Sequence, residues 1–211
     1  MAPHPQATPR EGPGSFREHD IEPFPGGMRP PDWPQVSVLI RDWIADAHAV
    51  RKVEESVAIE ELARLHARFE QIHPFLDGNG RAGRLILNLL LIRLGYPPAI
   101  IYKGDRTRYL NALRRADDGD PGPLGEFLAR AILDNLYKFV VPAIAGPARL
   151  VPLQALATPE LSANALRVAA VRGRLKATKG SDGAWRSSTA WVEEYVAGRY
   201  KRPAASLSSP E

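Results

Sequence analysis

Residues 73–84 read His73-Pro-Phe-Leu-Asp77-Gly-Asn-Gly-Arg81-Ala-Gly-Arg84, and the chain continues through LILNLLLIR to Arg93. Gly78 and Gly80 flank Asn79, so the backbone can adopt conformations closed to other residues and turn consecutive N–H groups outward. Those amides open onto a helix predicted over Arg81–Leu94, where unsatisfied donors and the helix dipole favour anions. Arg81 and Arg84, three apart, share a helical face and can grip phosphate oxygens through forked, charge-assisted bonds. Asp77 beside a polyphosphate is the kind of carboxylate that holds Mg²⁺. His73 titrates near neutrality and stands at the rim of the same loop. A base, a carboxylate, an anion nest and two arginines together describe phosphoryl or nucleotidyl transfer. The helix after the loop is apolar on nearly every side, which predicts a place at the centre of a helical bundle.

Outward from this stretch the helical period repeats. Val36, Leu39, Ile40, Trp43, Ile44 and Ala47 predict a helix over Gln35–Val50, and Val57, Leu62, Leu65 and Phe69 predict another over Glu54–Gln71. Gly95 is a natural helix stop, and Pro97-Pro98 forbids continuation. Asp105 can cap a helix through Ala116, with Asp117–Asp120 as a solvated turn. Leu124–Val141 supplies a further helix that ends near Pro142. Five helices and little strand signal predict a mainly α fold for residues 34–142. Upstream, residues 1–33 are rich in Pro and Gly and read as irregular, with Phe16–Phe24 extended.

Residues 143–149 read as a linker, and beyond them the pattern changes. Within 150–202, Leu153–Ala157 is a short predicted helix and Ser162 caps another through Arg172. Arg174–Thr178 and Trp185–Ser188 form two strands around the Gly180–Gly183 turn, and Thr189–Tyr200 is a last helix. Residues 203–211 read as disordered. The chain holds 28 Lys/Arg and 24 Asp/Glu, but unevenly: 18 against 19 in residues 1–148, and 10 against 5 in 149–211. The excess positive charge of the last third points to an anionic partner there.

Other classes recede. No apolar run is long enough to span a bilayer, so no membrane partner is expected. The first residues lack an apolar signal-peptide centre. Cysteine is absent, which removes disulfides, thiolate metal sites and cysteine nucleophiles and suits a cytoplasmic location. His66, seven residues before His73, reads as a packing residue rather than a second base.

HPFLDGNGRAGR matches the signature of the Fic family, His-Pro-Phe-x-Asp/Glu-Gly-Asn-Gly-Arg-x-x-Arg, at all nine specified positions. The chain from about Phe16 to Val141 also resembles a Fic core in its order of helices. The resemblance implies a Fic-type helical bundle with a small β-hairpin flap near residues 20–33 that docks a target's backbone by strand addition. It implies transfer of AMP from ATP, with Mg²⁺, onto a Tyr, Thr or Ser hydroxyl of a target protein. His73 would then be the general base and Asp77 the Mg²⁺ carboxylate. Gly78, Asn79 and Gly80 would stabilise the phosphates, Arg81 and Arg84 would bind their outer charge, and Tyr109 would border the adenine. Kinase-type relatives carry lysine at the position of Gly80, and the phosphocholine-transferring relative carries alanine at that of Gly78. Both glycines therefore favour nucleotidyl transfer.

Many relatives restrain themselves with Ser/Thr-x-x-x-Glu-Gly/Asn. Ser56–Glu60 is followed by Glu61, and Thr189–Glu193 by Glu194, so neither is read as such a brake. Three explanations stay open for the missing brake: truncation, an assigned start that is too late, or inhibition by a separate protein. The tail, SANALRVAAVRGRLKA and then WRSS, resembles a small winged helix-turn-helix with a β-hairpin wing. Arg167 and Arg172 would face DNA from the recognition helix, and Arg174, Lys176, Lys179 and Arg186 would approach phosphates from the wing. Two other readings stay open: a DNA-binding regulator whose Fic core senses nucleotide or mediates homodimerisation, and an enzyme that removes AMP.

Overall fold

The computed structural model describes residues 8–12, 14–23, 28–50 and 58–199. The chain divides into two compact units, Met1–Leu133 and Asp134–Glu211. The first holds helices α1 (Val36–Ala49), α2 (Ala58–Ile72), α3 (Asn79–Arg93), α4 (Arg106–Asp117) and most of α5 (Gly122–Asn135). These follow the apolar periods within a few residues; the beginning expected for α2, residues 54–57, lies outside the described residues.

Buried Val36, Ile40 and Trp43 of α1 meet Leu62, Leu65 and Phe69 of α2, with Leu87 and Leu91 of α3 and Leu124 and Leu128 of α5 in the same core. Trp43 buries its ring edge-on to Phe69, with centroids 5.4 Å apart, and donates its indole N–H to the Leu65 carbonyl at 2.7 Å. A buried Trp needs such a partner for its one polar atom. Asn88 of α3 clasps the chain beyond Gly95: its amide oxygen accepts the Ala99 N–H at 2.8 Å, and its amide nitrogen donates to the Ala99 carbonyl at 3.3 Å.

Two expectations are corrected here. Helix α3 is not covered on every side. Asn79, Gly83, Leu87 and Leu91 are buried, but Leu85, Leu89 and Ile92 are 72%, 53% and 58% exposed. Apolar composition alone does not reveal how many neighbours a helix has. The β-hairpin flap is also not formed among the described residues, none of which is in a strand between residues 8 and 32; residues 24–27 lie outside them. Pro23, Pro30 and Pro31 each lack the N–H that a ladder requires. Side chains bond the backbone here instead. The buried Glu11 carboxylate accepts N–H groups from Thr8, at 2.8 Å, and from Glu18, and lies 2.9 Å from Nδ1 of His19.

In the second unit, the chain leaves α5 through a π turn (Leu136–Val140) into α6 (Val141–Ile144), where Pro142 sits in the first turn and needs no N–H partner. Tyr137, Val141 and Ala145 pack on the second core, around Leu153, Leu156, Leu166 and Leu175. Their side chains tie this stretch to the second unit, so the division falls earlier than the 143–149 linker. Next come β1 (Val151–Pro152), a 3-10 turn (Leu153–Leu156), α7 (Ala163–Val171), β2 (Thr178–Lys179), β3 (Trp185–Ser187) and α8 (Thr189–Gly198). The three short strands form an antiparallel sheet in the order β1-β3-β2, with Val151 opposite Ser187 and Thr178 opposite Arg186. Ser162 and Ser188 cap α7 and α8 through their hydroxyl oxygens. No described helix is long and apolar enough to cross a membrane.

Burial alone would raise the Glu11 carboxyl, but the N–H groups of Glu18 and Thr8 outweigh it and hold its pKa at about 2, against an ordinary 4.5. A depressed carboxylate stabilises the fold above its unfolded value, and that contribution is lost as pH falls through the folded one. Glu11→Gln, which replaces one of the two accepting oxygens with an amide NH₂ facing an N–H donor, is therefore expected to lower stability at pH 7. Its cost relative to the unmodified chain should shrink as pH falls from 4.5 to about 2, as measured by urea unfolding.

Candidate active site

Helix α2 ends at Ile72, and Pro74 disfavours helical backbone in the residue before it. His73 takes the consequence: its φ is +48°, the only positive value outside glycine among the described residues. A left-handed residue commonly ends a helix, but glycine usually fills that place. The His73 N–H still reaches the Phe69 carbonyl at 3.2 Å, which completes the last turn of α2.

The buried Arg17 guanidinium surrounds this strained residue. Nε donates to the His73 carbonyl at 3.0 Å and Nη1 to the His19 carbonyl at 3.2 Å, while Nη2 donates to the Pro31 carbonyl. The Arg17 N–H bonds the Pro74 carbonyl at 2.9 Å. One side chain thus joins the N-terminal segment, the approach to α1 and the end of α2. Phe16 packs on Phe75 beside it, with ring centroids 5.8 Å apart.

Within the loop, Asn79 is buried and its side chain bonds the Phe75 backbone through both of its polar atoms. Its Oδ1 accepts the Phe75 N–H at 2.9 Å, and its Nδ2 donates to the Phe75 carbonyl at 2.7 Å. The side chain thus holds the Phe75 backbone, with one Nδ2 hydrogen outside these two bonds. Gly78 has φ +85°, which glycine alone adopts without strain. Its N–H is taken by Oδ1 of Asp77 at 2.6 Å, while Oδ2 of Asp77 pairs with Arg81 at 3.2 Å. The amides left open are those at the first turn of α3.

His73, Gly80, Arg84 and Tyr109 line one cavity of about 780 Å³, together with Glu70, Ile101, Lys103, Arg106, Leu110 and Leu113. Asp77, Gly78, Asn79 and Arg81 are not part of that lining. Nδ1 of His73 lies 3.1 Å from the Glu70 carbonyl. A carbonyl only accepts, so Nδ1 carries the proton and Nε2 is the basic nitrogen of the neutral ring. Burial lowers the His73 pKa, the Glu70 carbonyl pulls it back up, and the nearby Arg17 charge lowers it further. Neutral imidazole at neutral pH is the result, which is the form a base requires. Tyr109 is buried, with its hydroxyl 2.7 Å from Nε2 of His66. Burial holds His66 down at about 4, with Arg84 acting in the same direction. His66 is therefore a neutral packing partner.

Residues 2–91 match the model of the Fic/DOC family. Over those residues the chain is similar to the Fic/DOC family. Its residues are 38% identical over 124 positions to the protein adenylyltransferase Fic of Drosophila willistoni, and 37% identical to that of Drosophila virilis. Each match takes in 57% of this chain and 24% of the relative. Among solved structures, Fic-1 of C. elegans (residues 134–508) is 28% identical, with a TM-score of 0.49, over 62% of this chain and 37% of that one.

Beyond the Fic/DOC signature, the cavity gathers Glu70, Lys103 and Arg106, and Arg17 bonds the His73 carbonyl; the motif announces none of them. Among the described residues, no group of three or more His, Asp or Glu side chains could hold a metal by itself. Asp77 is a single exposed carboxylate, which fits Mg²⁺ only when a polyphosphate supplies the other oxygens.

In the second unit, two of the expected phosphate-facing cations are already paired. Lys176 bonds Glu194 at 2.9 Å and Arg186 bonds Asp182 at 2.6 Å. Arg172, Arg174 and Arg199 instead gather with Tyr195 around a hollow of about 250 Å³.

Arg17→Met keeps the apolar stem but leaves the His73, His19 and Pro31 carbonyls without their donor. A loss of about 1–3 kcal/mol is expected in chemical unfolding. Because the guanidinium charge depresses His73, its removal should shift the His73 titration to higher pH, followed by NMR.

Proposed function

We propose that this chain is a protein adenylyltransferase that moves AMP from ATP to a Tyr, Thr or Ser hydroxyl of a target protein. One observation carries the reading: the basic nitrogen of His73, the bare first turn of α3 at Gly80 and the Arg84 guanidinium share a single cavity. In this reading, Nε2 of His73 takes the proton of the target hydroxyl. The hydroxyl oxygen then bonds to the α-phosphorus as the bond to the β-phosphate oxygen breaks and pyrophosphate leaves. Gly80 allows close approach of the phosphates, the first-turn amides of α3 and Arg84 hold their charge, and Arg81 joins them on leaving Asp77. Asp77 would hold Mg²⁺, which neutralises phosphate charge when bound. Ile101, Leu110 and Leu113, with Tyr109 behind them, offer an apolar wall for the base. The Drosophila relatives named protein adenylyltransferase support the assignment, although the chain spans 24% of their length.

ATP labelled at the α- or the γ-phosphate tests this directly, with Mg²⁺ and a lysate as the source of targets. Label from the α-position alone should appear on protein and fall by at least about 100-fold in His73→Ala. Transfer of γ-label would mean kinase chemistry and overturn the reading.

A second reading concerns residues 150–199, where Arg167, Arg172, Arg174 and Lys179 carry no ion pair among the described residues. A capped helix followed by a hairpin, with these cations left over, supports DNA binding by α7. Retention on duplex DNA should then fall steeply with salt, and Lys176 and Arg186, held by their own carboxylates, should contribute least. Absence of retention even at low salt would reject this reading.

A further inference from the structure

Glu70 lies one helical turn before His73, and the mechanism above uses only its backbone carbonyl. Its side chain is 13% exposed, and Oε1 is buried without a hydrogen-bond partner. The carboxyl leans over the first turn of α3. A Cβ at Gly83 would lie 2.3 Å from Oε1 and 3.1 Å from the Phe69 ring, so only glycine leaves room for this arrangement. A Cβ at Gly80 would lie 3.2 Å from Nη1 of Arg84 and 3.9 Å from Oε2 of Glu70. The missing side chain of Gly80 is thus a gap between a cation and a carboxyl, and all three residues line the large cavity.

We propose that Glu70 is the resting counter-charge of Arg84, and that an anionic nucleotide occupies this gap as Glu70 takes up one proton from solvent. The inference rests on the nucleotide reading of the cavity. Phosphate oxygens entering beside Gly80 gain Arg84 but meet the Glu70 carboxylate in a poorly solvated place, where like charges repel strongly. Protonation removes that repulsion. It also turns an acceptor without a partner into an O–H donor for a phosphate oxygen, a short charge-assisted bond. On release, the proton returns to solvent.

The surroundings make the proton available near neutrality. Burial raises the Glu70 carboxyl to about 7, against the pull of Arg84 and with the help of Asp117. From its own helix it faces His66, with Nε2 4.0 Å from Oε1, and His73 one turn on. From α3 it meets Arg84, and from α4 Tyr109 and Asp117, while Lys103, Arg106 and Arg114 line the same cavity. On α1, Asp46 is held by Arg68. His66 is already neutral and burial pushes the Tyr109 hydroxyl up, so His73 is the group that must be separated from Glu70 in a test.

Calorimetry of Mg²⁺-ATP binding to the full chain, in buffers of different ionisation enthalpy, counts the protons taken up. About one is expected at pH 8 and far fewer at pH 6, with affinity weakening toward tenfold per pH unit above neutrality. His73→Ala should retain this uptake. Glu70→Gln should bind ATP without it, with an affinity that is flat from pH 7 to 8.5. Binding without proton uptake in the unmodified chain overturns the inference, as does uptake that persists in Glu70→Gln or vanishes in His73→Ala. Failure of the unmodified chain to bind ATP at all overturns the nucleotide reading itself.

Discussion

The site depends on one buried cation. Arg17 lies in an irregular, proline-rich segment, yet it donates to the carbonyls of His73, His19 and Pro31. Burial lowers its pKa, and Asp20 and Asp32 only partly offset that loss. A guanidinium remains charged even so, and its planar fork satisfies carbonyls from the end of α2, the N-terminal segment and the approach to α1. Without such a partner, a left-handed histidine next to a proline would be a costly way to end a helix. With it, the histidine ring is aimed, and its Nδ1 proton is fixed on the Glu70 carbonyl.

Much of the first unit was legible from the sequence. The helices stand where apolar residues recur at three and four, because burial on one side is what such spacing encodes. The twelve-residue motif marked the loop, and the structure brings its His73, Gly80 and Arg84 to one cavity. Individual roles within it were harder to read. Asn79 looks like a phosphate ligand in the sequence, but its side chain is a clasp for Phe75. Arg17 and Glu11 gave no signal, since isolated charges in a Pro/Gly-rich stretch carry no periodicity. Glu70 lies outside the motif and was not singled out. Its spacing from His66 and His73, four before and three after, places it on their face, and that pattern could have singled it out.

The second unit was legible in order more than in extent. Its cap at Ser162 was readable from local chemistry, whereas β1 is two residues long and exists only because β3 is there to pair with it. Charge was the least transferable feature. The partner of Arg186, Asp182, lies four residues away across a tight turn, while that of Lys176, Glu194, is 18 positions distant and belongs to α8. A count of basic residues therefore overstates the positive charge this unit offers.

The clasp on Asn79 also bears on how the molecule ages. Asn followed by Gly is the pairing most prone to spontaneous deamidation, in which the glycine nitrogen attacks the asparagine side-chain carbonyl and closes a succinimide ring. In the folded loop that side chain is held by both polar groups of Phe75, and the backbone is locked at the start of α3. Ring closure would require both to be released. The folded loop thus shelters its own most perishable bond, and each episode of unfolding exposes it to irreversible chemical damage.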